Sequence, residues 1–374
     1  VGRLGLDVAQ VLGLSFWMYL LFGLTALPWG LVADKWQAKK LLLLFFVGAG
    51  VCSLGAGLML DSPLAFALAL AGIGLFSGIY HPVGLGLISK GIERVPMAMG
   101  YNGMFGSLGL AMAPLLAGLS NWLAGPRAVF LAVGGLNLAG AGLMAALKLA
   151  EPRPPKTAPA AGRQENGLVG PFLILLAIMT LGGLTYRGVT VILPTYLELK
   201  GPGLYQVLKS FWPGDLSPNL VATSLASLTY ALGILGQYIG GRVGERFDPR
   251  WSYLVFHALS LPSVFLLAWA TDLPMFVLAL VYLFFLLGMQ PVENTLVARL
   301  TPGRFHHSAY GAKFILAFGV GALAVKLVGA VQALRGVEAV FLVLGLISSL
   351  LVATILLLIS RTKPLKRGGV QARP

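Results

Sequence analysis

The sequence predicts an all-α polytopic membrane protein, and three observations carry that reading: its solvent preference, its long apolar runs and an internal repeat. Of 374 residues, 57% are hydrophobic and only 11% charged, with a mean hydropathy of +0.85. Soluble domains carry about 25% charged residues, so this chain cannot build a water-facing surface, and a bilayer is the solvent that suits it. The same argument excludes disordered and secreted disulfide-rich classes. Cys52 is the single cysteine, and among four histidines only His306 and His307 are adjacent. Neither pattern spaces ligands for a metal, so no metal, disulfide or cofactor is expected.

Runs of 18 or more apolar residues read as membrane helices. Eleven are present, at 9–33, 41–60, 64–89, 97–121, 126–148, 170–198, 222–247, 251–270, 274–299, 308–333 and 337–360. The connections on one side, with the C-terminal tail, hold 19 Lys and Arg, against five on the other: Arg3, Arg127, Lys200, Lys209 and Arg335. Basic loops stay inside. The C-terminus is therefore expected in the cytoplasm and Val1 outside, in a multi-pass protein of the cell inner membrane. The net charge of +14 then reflects topology and contact with anionic lipid, not nucleic-acid binding.

The Pro-, Ala- and charge-rich stretch 149–169 reads as a cytoplasmic linker. It separates an N-terminal helical bundle, 1–148, from a C-terminal six-helix bundle, 170–360, followed by a basic tail, 361–374. The halves repeat. Gly30-x3-Asp34-Lys35-x3-Lys39 returns as Gly241-Arg242-x2-Glu245-Arg246-x3-Arg250 at an offset of 211, while Pro82 and Tyr101 match Pro291 and Tyr310 at 209. Both loop copies face the same side, so the repeat is parallel, about an axis along the membrane normal. Completing it calls for a helix before Val1, giving twelve spans in two sets of six; removal of a signal peptide is the alternative account of this beginning.

These two loops, the linker and the 6+6 plan resemble the major facilitator superfamily of secondary transporters across the whole chain. Trp36-Gln37 replaces the family's usual glycine in the first loop. The resemblance implies that the loops form a cytoplasmic gate, built on Gly30, Asp34, Lys35, Lys39, Gly241, Arg242, Glu245, Arg246 and Arg250. Physically, a carboxylate at a helix end can pair with bases and with the N-terminus of a neighbouring helix, and a glycine permits close helix approach. A purely topogenic charge cluster is the plainer reading. Gly106-Ser-Leu-Gly109-x3-Ala113-Pro114-x2-Ala117-Gly118 is similar to the superfamily's antiporter motif, although such small residues also simply permit packing and a kink. Gly78-Ile-Tyr80-His81-Pro82-Val83-Gly84 and Gly103-Met-Phe105-Gly106 resemble both fosmidomycin-resistance-type exporters and bacterial organic-acid carriers.

Ionisable groups inside a span cost several kcal/mol and mark water-filled paths or internal pairs. Arg187 lies on a small, polar stripe with Thr180, Gly183, Thr190 and Pro194; Lys326 lies on one with Gly319, Ala322 and Gly329. Their helices run the same way and place both cations at one depth, which suits an anion gripped by a planar guanidinium, with Tyr186, Tyr230 and Gln237 adding hydrogen bonds. Snorkelling or bonding to carbonyls is the alternative, and Lys313, near a helix end, is expected to snorkel. Glu293, the one acid within a span away from its ends, shares a polar face with Gln290 and Asn294 and suits a proton carrier, or a structural partner for Arg299 or Lys313. His81 is a second proton-coupling candidate or a packing histidine; His257 is expected to be structural.

The sum is a transporter of a small organic anion, of carboxylate or phosphonate type, working by alternating access with proton coupling. The alternative is a drug/proton antiporter for lipophilic or cationic compounds. Partners are a small molecule, protons and lipid, the chain acting as a monomer; no catalytic triad, metal set or nucleotide loop supports an enzyme. Segment 199–221, interrupted by Pro202, Pro213 and Pro218, is expected to form an outer lid or interfacial helix. An impermeant amine reagent should therefore label Lys209 from outside intact cells; labelling only from the cytoplasm would invert the topology.

Overall fold

A computed structural model describes residues 14–149, 168–212, 214 and 216–365, with backbone alone at 114, 115, 118, 122 and 320–322. Parts of several expectations lie outside the described residues: the first span before Leu14, the linker over 150–167, the tail beyond Leu365, and the side chains of Pro114, Gly118 and Ala322.

Among the described residues all regular structure is helical. The helices are α1 (Phe16–Leu24), α2 (Ala26–Ala33), α3 (Ala38–Leu58), α4 (Pro63–Ser77), α5 (Tyr80–Gly91) and α6 (Val95–Ala146) in the first half. The second half has α7 (Val169–Lys200), α8 (Pro202–Ser210), α9 (Pro218–Arg246), α10 (Pro249–Leu266), α11 (Asp272–Gly288), α12 (Gln290–Arg299), α13 (His306–Phe314), α14 (Gly321–Arg335) and α15 (Val337–Ser360). A π-helical turn, Ile315–Val320, joins α13 to α14. Among the described residues nine stretches are long and apolar enough to cross a membrane. The other two expected spans also fall on helices, the first arm of α6 and α10.

Repeated backbone devices shape both halves. α6 is two helices joined at Gly125, whose φ of +78° lies in the left-handed region; Gly336, 211 residues on, has a φ of +86° before α15. A side chain is strained there, so glycine makes both turns. Corresponding spans of the two halves are broken, between α4 and α5 at Gly78–Ile79 and between α11 and α12 at Met289. Each break lies about one turn before a proline, Pro82 or Pro291. The ring lacks an N–H and clashes with the carbonyl four residues back, and both effects interrupt the helix.

The helices cluster into two compact units that interleave the sequence halves. The first contains Val1–Gly91, Ala113–Glu165 and Thr301–Gly319; the second contains Ile92–Met112, Asn166–Leu300 and Val320–Pro374. In the first, Leu41, Leu42, Ile79 and Val83 form a buried core with Ala33 and Ala38. The second buries Tyr196, Tyr253, Tyr282 and Phe341, with Tyr196 donating to the carbonyl of Leu267. Helix α8 buries none of its residues and is tied down by Asp272, whose Oδ1 accepts from Leu204 N at 2.9 Å. A short amphipathic helix thus occupies the segment expected to lie on the outer face.

The last base of each loop caps a helix rather than pairing with the loop's acid. Lys39 Nζ donates to the carbonyls of Ala145 and Leu147 at 3.0 and 2.7 Å, at the end of α6. Arg250 Nη1 donates to Thr362 O at 2.6 Å beyond the end of α15, while its Nη2 pairs with Asp248 Oδ2 at 2.6 Å. A cation at the orphan carbonyls of a helix C-terminus is favourable twice over, by hydrogen bond and by dipole.

Burial opposes ionisation of Asp248, but hydrogen bonds from Arg250 and from Leu365 N outweigh it and hold the carboxyl below its ordinary 3.8. A carboxylate held low stabilises the folded state above its ordinary pKa, and that stability is lost as pH falls through the depressed value. Residues 361–365 should therefore undock below about pH 4. A fluorophore on Lys363→Cys, in a Cys52→Ala background, would report it, and Asp248→Asn should undock the segment at neutral pH. A segment that stays docked in that variant refutes the anchor.

Candidate functional site: two charged latches and two intramembrane polar clusters

In the first unit, the end of α2 meets the start of α13. Asp34 Oδ1 accepts from His307 N at 3.2 Å and Oδ2 from Ser308 N at 3.0 Å, so the carboxylate binds the exposed amides of a helix N-terminus. Lys90 Nζ adds an ion pair at 3.2 Å. Approach is possible because position 30 is glycine: a Cβ there would stand 2.5 Å from His307 O and 3.0 Å from Ser308 Cα. Gly311 repeats the device from the other side, where a Cβ would meet Ala26 O and Leu27 Cα at 2.7 Å. Beneath this contact His306 Nδ1 lies 2.8 Å from Ser89 Oγ, and His307 Nδ1 lies 3.0 Å from Pro82 O.

The second unit builds the matching contact between the end of α9 and the start of α6. Glu245 takes a fork from Arg94, Nε to Oε1 at 2.6 Å and Nη2 to Oε2 at 2.7 Å. Gly241 permits the crossing, since a Cβ would meet Pro96 O at 3.0 Å and Gly100 Cα at 3.2 Å. In both units the loop's acid and glycine come from one sequence half and the helix start from the other. Lys35 and Arg246 are exposed, and Arg242 donates to Tyr238 Oη at 3.1 Å. The bases that pair with the acids, Lys90 and Arg94, lie outside the loop motif. Sequence reasoning placed them in a connection without pairing them, because only the fold brings residues 56 and 151 positions apart together.

The intramembrane candidates separate into groups. In the second unit Arg187, half-buried on α7, lies within electrostatic reach of Tyr186 and Tyr230. Tyr230 Oη approaches Thr190 O at 3.5 Å. Lys326 is exposed on α14, across from the buried Ala324 and Val328. Gln237 is not beside Arg187: it is two turns from Tyr230, about 10 Å along α9. It is 2% exposed, donates to Gln290 Oε1 at 2.7 Å, and fills the space left by Gly103.

Glu293 is 5% exposed on α12 and accepts from Tyr253 Oη. Tyr253 meets His257 edge-on with ring centres 4.8 Å apart, and the charge of Glu293 acts on His257, whose buried Nε2 has no partner among the described residues. The sequence signal was present: Tyr253 and His257 are i, i+4 on α10 and share a face. His257 was expected to be structural, and its place beside the intramembrane acid follows from α10 packing on α12. In the first unit His81 stacks on Phe314 with centres 4.2 Å apart and touches Phe22, Tyr80 and Phe318. Lys313 does not snorkel. It is 5% exposed, with Nζ 5.4 Å from the Phe314 ring centre and its charge acting on His81. The packing of α13 against α2 and α5 encloses its side chain.

A repeated helical bundle with glycine-crossed latches, correspondingly broken spans and ionisable groups at membrane depth defines a polytopic membrane transporter. The chain belongs to the Major Facilitator Superfamily, whose profile matches residues 2–217 and again 203–374. Similar solved structures share this fold. The fucose:proton symporter FucP of E. coli is 14% identical with a TM-score of 0.70, over 97% of this chain and 95% of that one. The human organic anion transporter MFSD10 is 18% identical with a TM-score of 0.75, over 93% and 83%. The proton:xylose symporter XylE is 11% identical with a TM-score of 0.72, over 95% and 88%. No curated protein matches the sequence.

Gly30→Ala forces backbone apart and Asp34→Asn removes the charge from a helix N-terminus, so each should loosen the first latch. The distance between spin labels at Lys35→Cys and Arg304→Cys should broaden toward longer values in both variants, more in Gly30→Ala. Distributions unchanged from the parent would dismiss the latch.

Proposed function

We propose that this protein moves a small organic anion across the membrane by alternating access, coupled to protons. The observation that carries the substrate charge is Arg187. A guanidinium half-buried in the middle of a span, with two tyrosines around it, is a positive charge at membrane depth that an anionic ligand would complement. A cationic substrate would add repulsion. Lys326 lies on α14, which packs against α7, and supplies a second positive charge in the same unit. The organic anion transporter among the similar structures favours the same class.

The latches supply the gate. Counting spans and basic loops puts Asp34, Lys90, Arg94, Glu245 and the start of α13 on the cytoplasmic side, with the C-terminus. Each latch ties one sequence half to the other, so opening inward requires both to break. Proton coupling is assigned to Glu293. Its neighbours Tyr253 and His257 can hold or pass a proton, and it stands just beyond the break at Met289. His81 flanks the equivalent break of the first half, at Gly78–Ile79. Paired interruptions in corresponding spans of two repeats are where transporters of this kind place substrate and ion sites.

Arg187→Ala should abolish uptake into vesicles with an imposed pH gradient, and Arg187→Lys should restore little, because an ammonium cannot reproduce bidentate geometry. Lys326→Ala should weaken binding by about tenfold or less. A calorimetric screen of monocarboxylates, dicarboxylates, phosphonates, sugars and lipophilic cations decides the class. Anion binding that survives Arg187→Ala, or tight binding of cations alone, rejects the anion carrier and favours the drug antiporter. Glu293→Gln should leave substrate binding within about threefold while removing the response to the pH gradient; retained coupling would remove Glu293 from the proton path.

A further inference from the structure

Where the start of α6 crosses the end of α9, Ile92, Arg94, Met97, Ala98, Tyr101 and Arg242 line a cavity of about 260 Å³. Its two guanidinium groups are held differently. Arg94 spends Nε and Nη2 on Glu245. Arg242 uses Nε on Tyr238 Oη at 3.1 Å and packs 5.5 Å from the centre of that ring, so its guanidinium is braced by its own helix. Tyr101 stands beside the same platform, 6.5 Å from Tyr238 between ring centres. Arg242 adds positive charge beyond what Glu245 neutralises in pairing with Arg94.

An apolar track leaves this cavity. Tyr101, Phe105, Leu108 and Met112 are 51%, 75%, 42% and 40% exposed, and their 4, 3, 4 spacing lines them along one face of α6. The opposite face, with Gly100, Gly103 and Ser107, packs on α9. A cationic hollow at the end of a span, continued by an exposed aromatic and aliphatic stripe along that span, matches the two ends of a phospholipid: an acidic head and a hydrocarbon tail.

We propose that this cavity binds the phosphate of an anionic phospholipid, held by Arg242 and the remaining face of Arg94, with an acyl chain along Tyr101, Phe105 and Leu108. The site is separate from the Arg187 group and holds whatever the transported substrate is. Because Arg94 also closes the second latch, an occupied site would brace the helix start on which Glu245 depends.

Native mass spectrometry of the full chain, exchanged from detergent into phosphatidylglycerol, phosphatidylcholine or inorganic phosphate, tests it. One retained phosphatidylglycerol is expected, preferred over phosphatidylcholine by about tenfold. Arg242→Ala should reduce that preference to about twofold, and Arg242→Lys should fall between, since charge remains and the fork is lost. Arg246→Ala, an exposed neighbour outside the lining, should keep the preference, and circular dichroism should match the parent for every variant. Phe105→Ser should lower lipid retention. Equal retention of the two lipids, or an Arg246→Ala loss as large as that of Arg242→Ala, would overturn the site in favour of diffuse surface attraction. Inorganic phosphate that displaces the lipid at equal concentration would also overturn it, leaving a free-anion site in its place.

Discussion

In each unit the latch depends on backbone meeting backbone. At Gly30 and Gly241 a helix from one sequence half touches the main chain of a helix start from the other, at distances a single methyl group would forbid at Gly30 and crowd at Gly241. Contact this close brings a carboxylate one turn further on within reach of amides or a guanidinium. The acid adds direction and a dipole interaction of about 1 kcal/mol, and a net hydrogen bond to a charged group adds about 2 kcal/mol. Glycine creates the geometry, and the charge decides how firmly it holds. A joint of this strength would suit the gate proposed above.

The repeat divides labour in the same way twice. In each half the acid of the loop reaches across to the other half, and the last base of the loop reaches to the final helix of its own half. One short motif therefore makes contacts of two kinds. Asp34 and Glu245 join the two sequence halves, while Lys39 and Arg250 fasten helix ends within a half. The two copies are not chemically equal. Asp34 binds mainly backbone amides, whereas Glu245 binds a partly exposed guanidinium, so salt should weaken the second contact more than the first.

Membrane-depth polarity follows the broken spans. Pro82 and Pro291 interrupt corresponding helices, and Tyr80, His81, Gln290 and Glu293 stand within a turn of those interruptions. A helix that gives up part of its hydrogen-bond ladder must satisfy backbone groups some other way, which favours polar neighbours and water. That accounts for a carboxylate, a tyrosine and a histidine sharing one buried contact in the second unit. It also accounts for a lysine enclosed among aromatic rings in the first.

Composition and period alone determined the solvent, the helical class, the positions of the spans and the parallel repeat, because bilayer thickness and apolar runs are one-dimensional properties. The family and the loop glycines and acids were equally legible, since their spacing recurs at a fixed offset. Pairing was not. Lys90 and Arg94 gave no local sign that they, rather than Lys35 or Arg246, would meet the acids. Gln237 was expected to add a hydrogen bond beside Arg187, yet the crossing at Gly103 turns it toward Gln290. His257 looked structural until α10 was laid against α12, and Lys313 looked free to snorkel until α2 and α5 closed around it. Helical periodicity says which residues share a face, but which face another helix covers is set by crossings between segments far apart in the chain, and those only the tertiary structure decides.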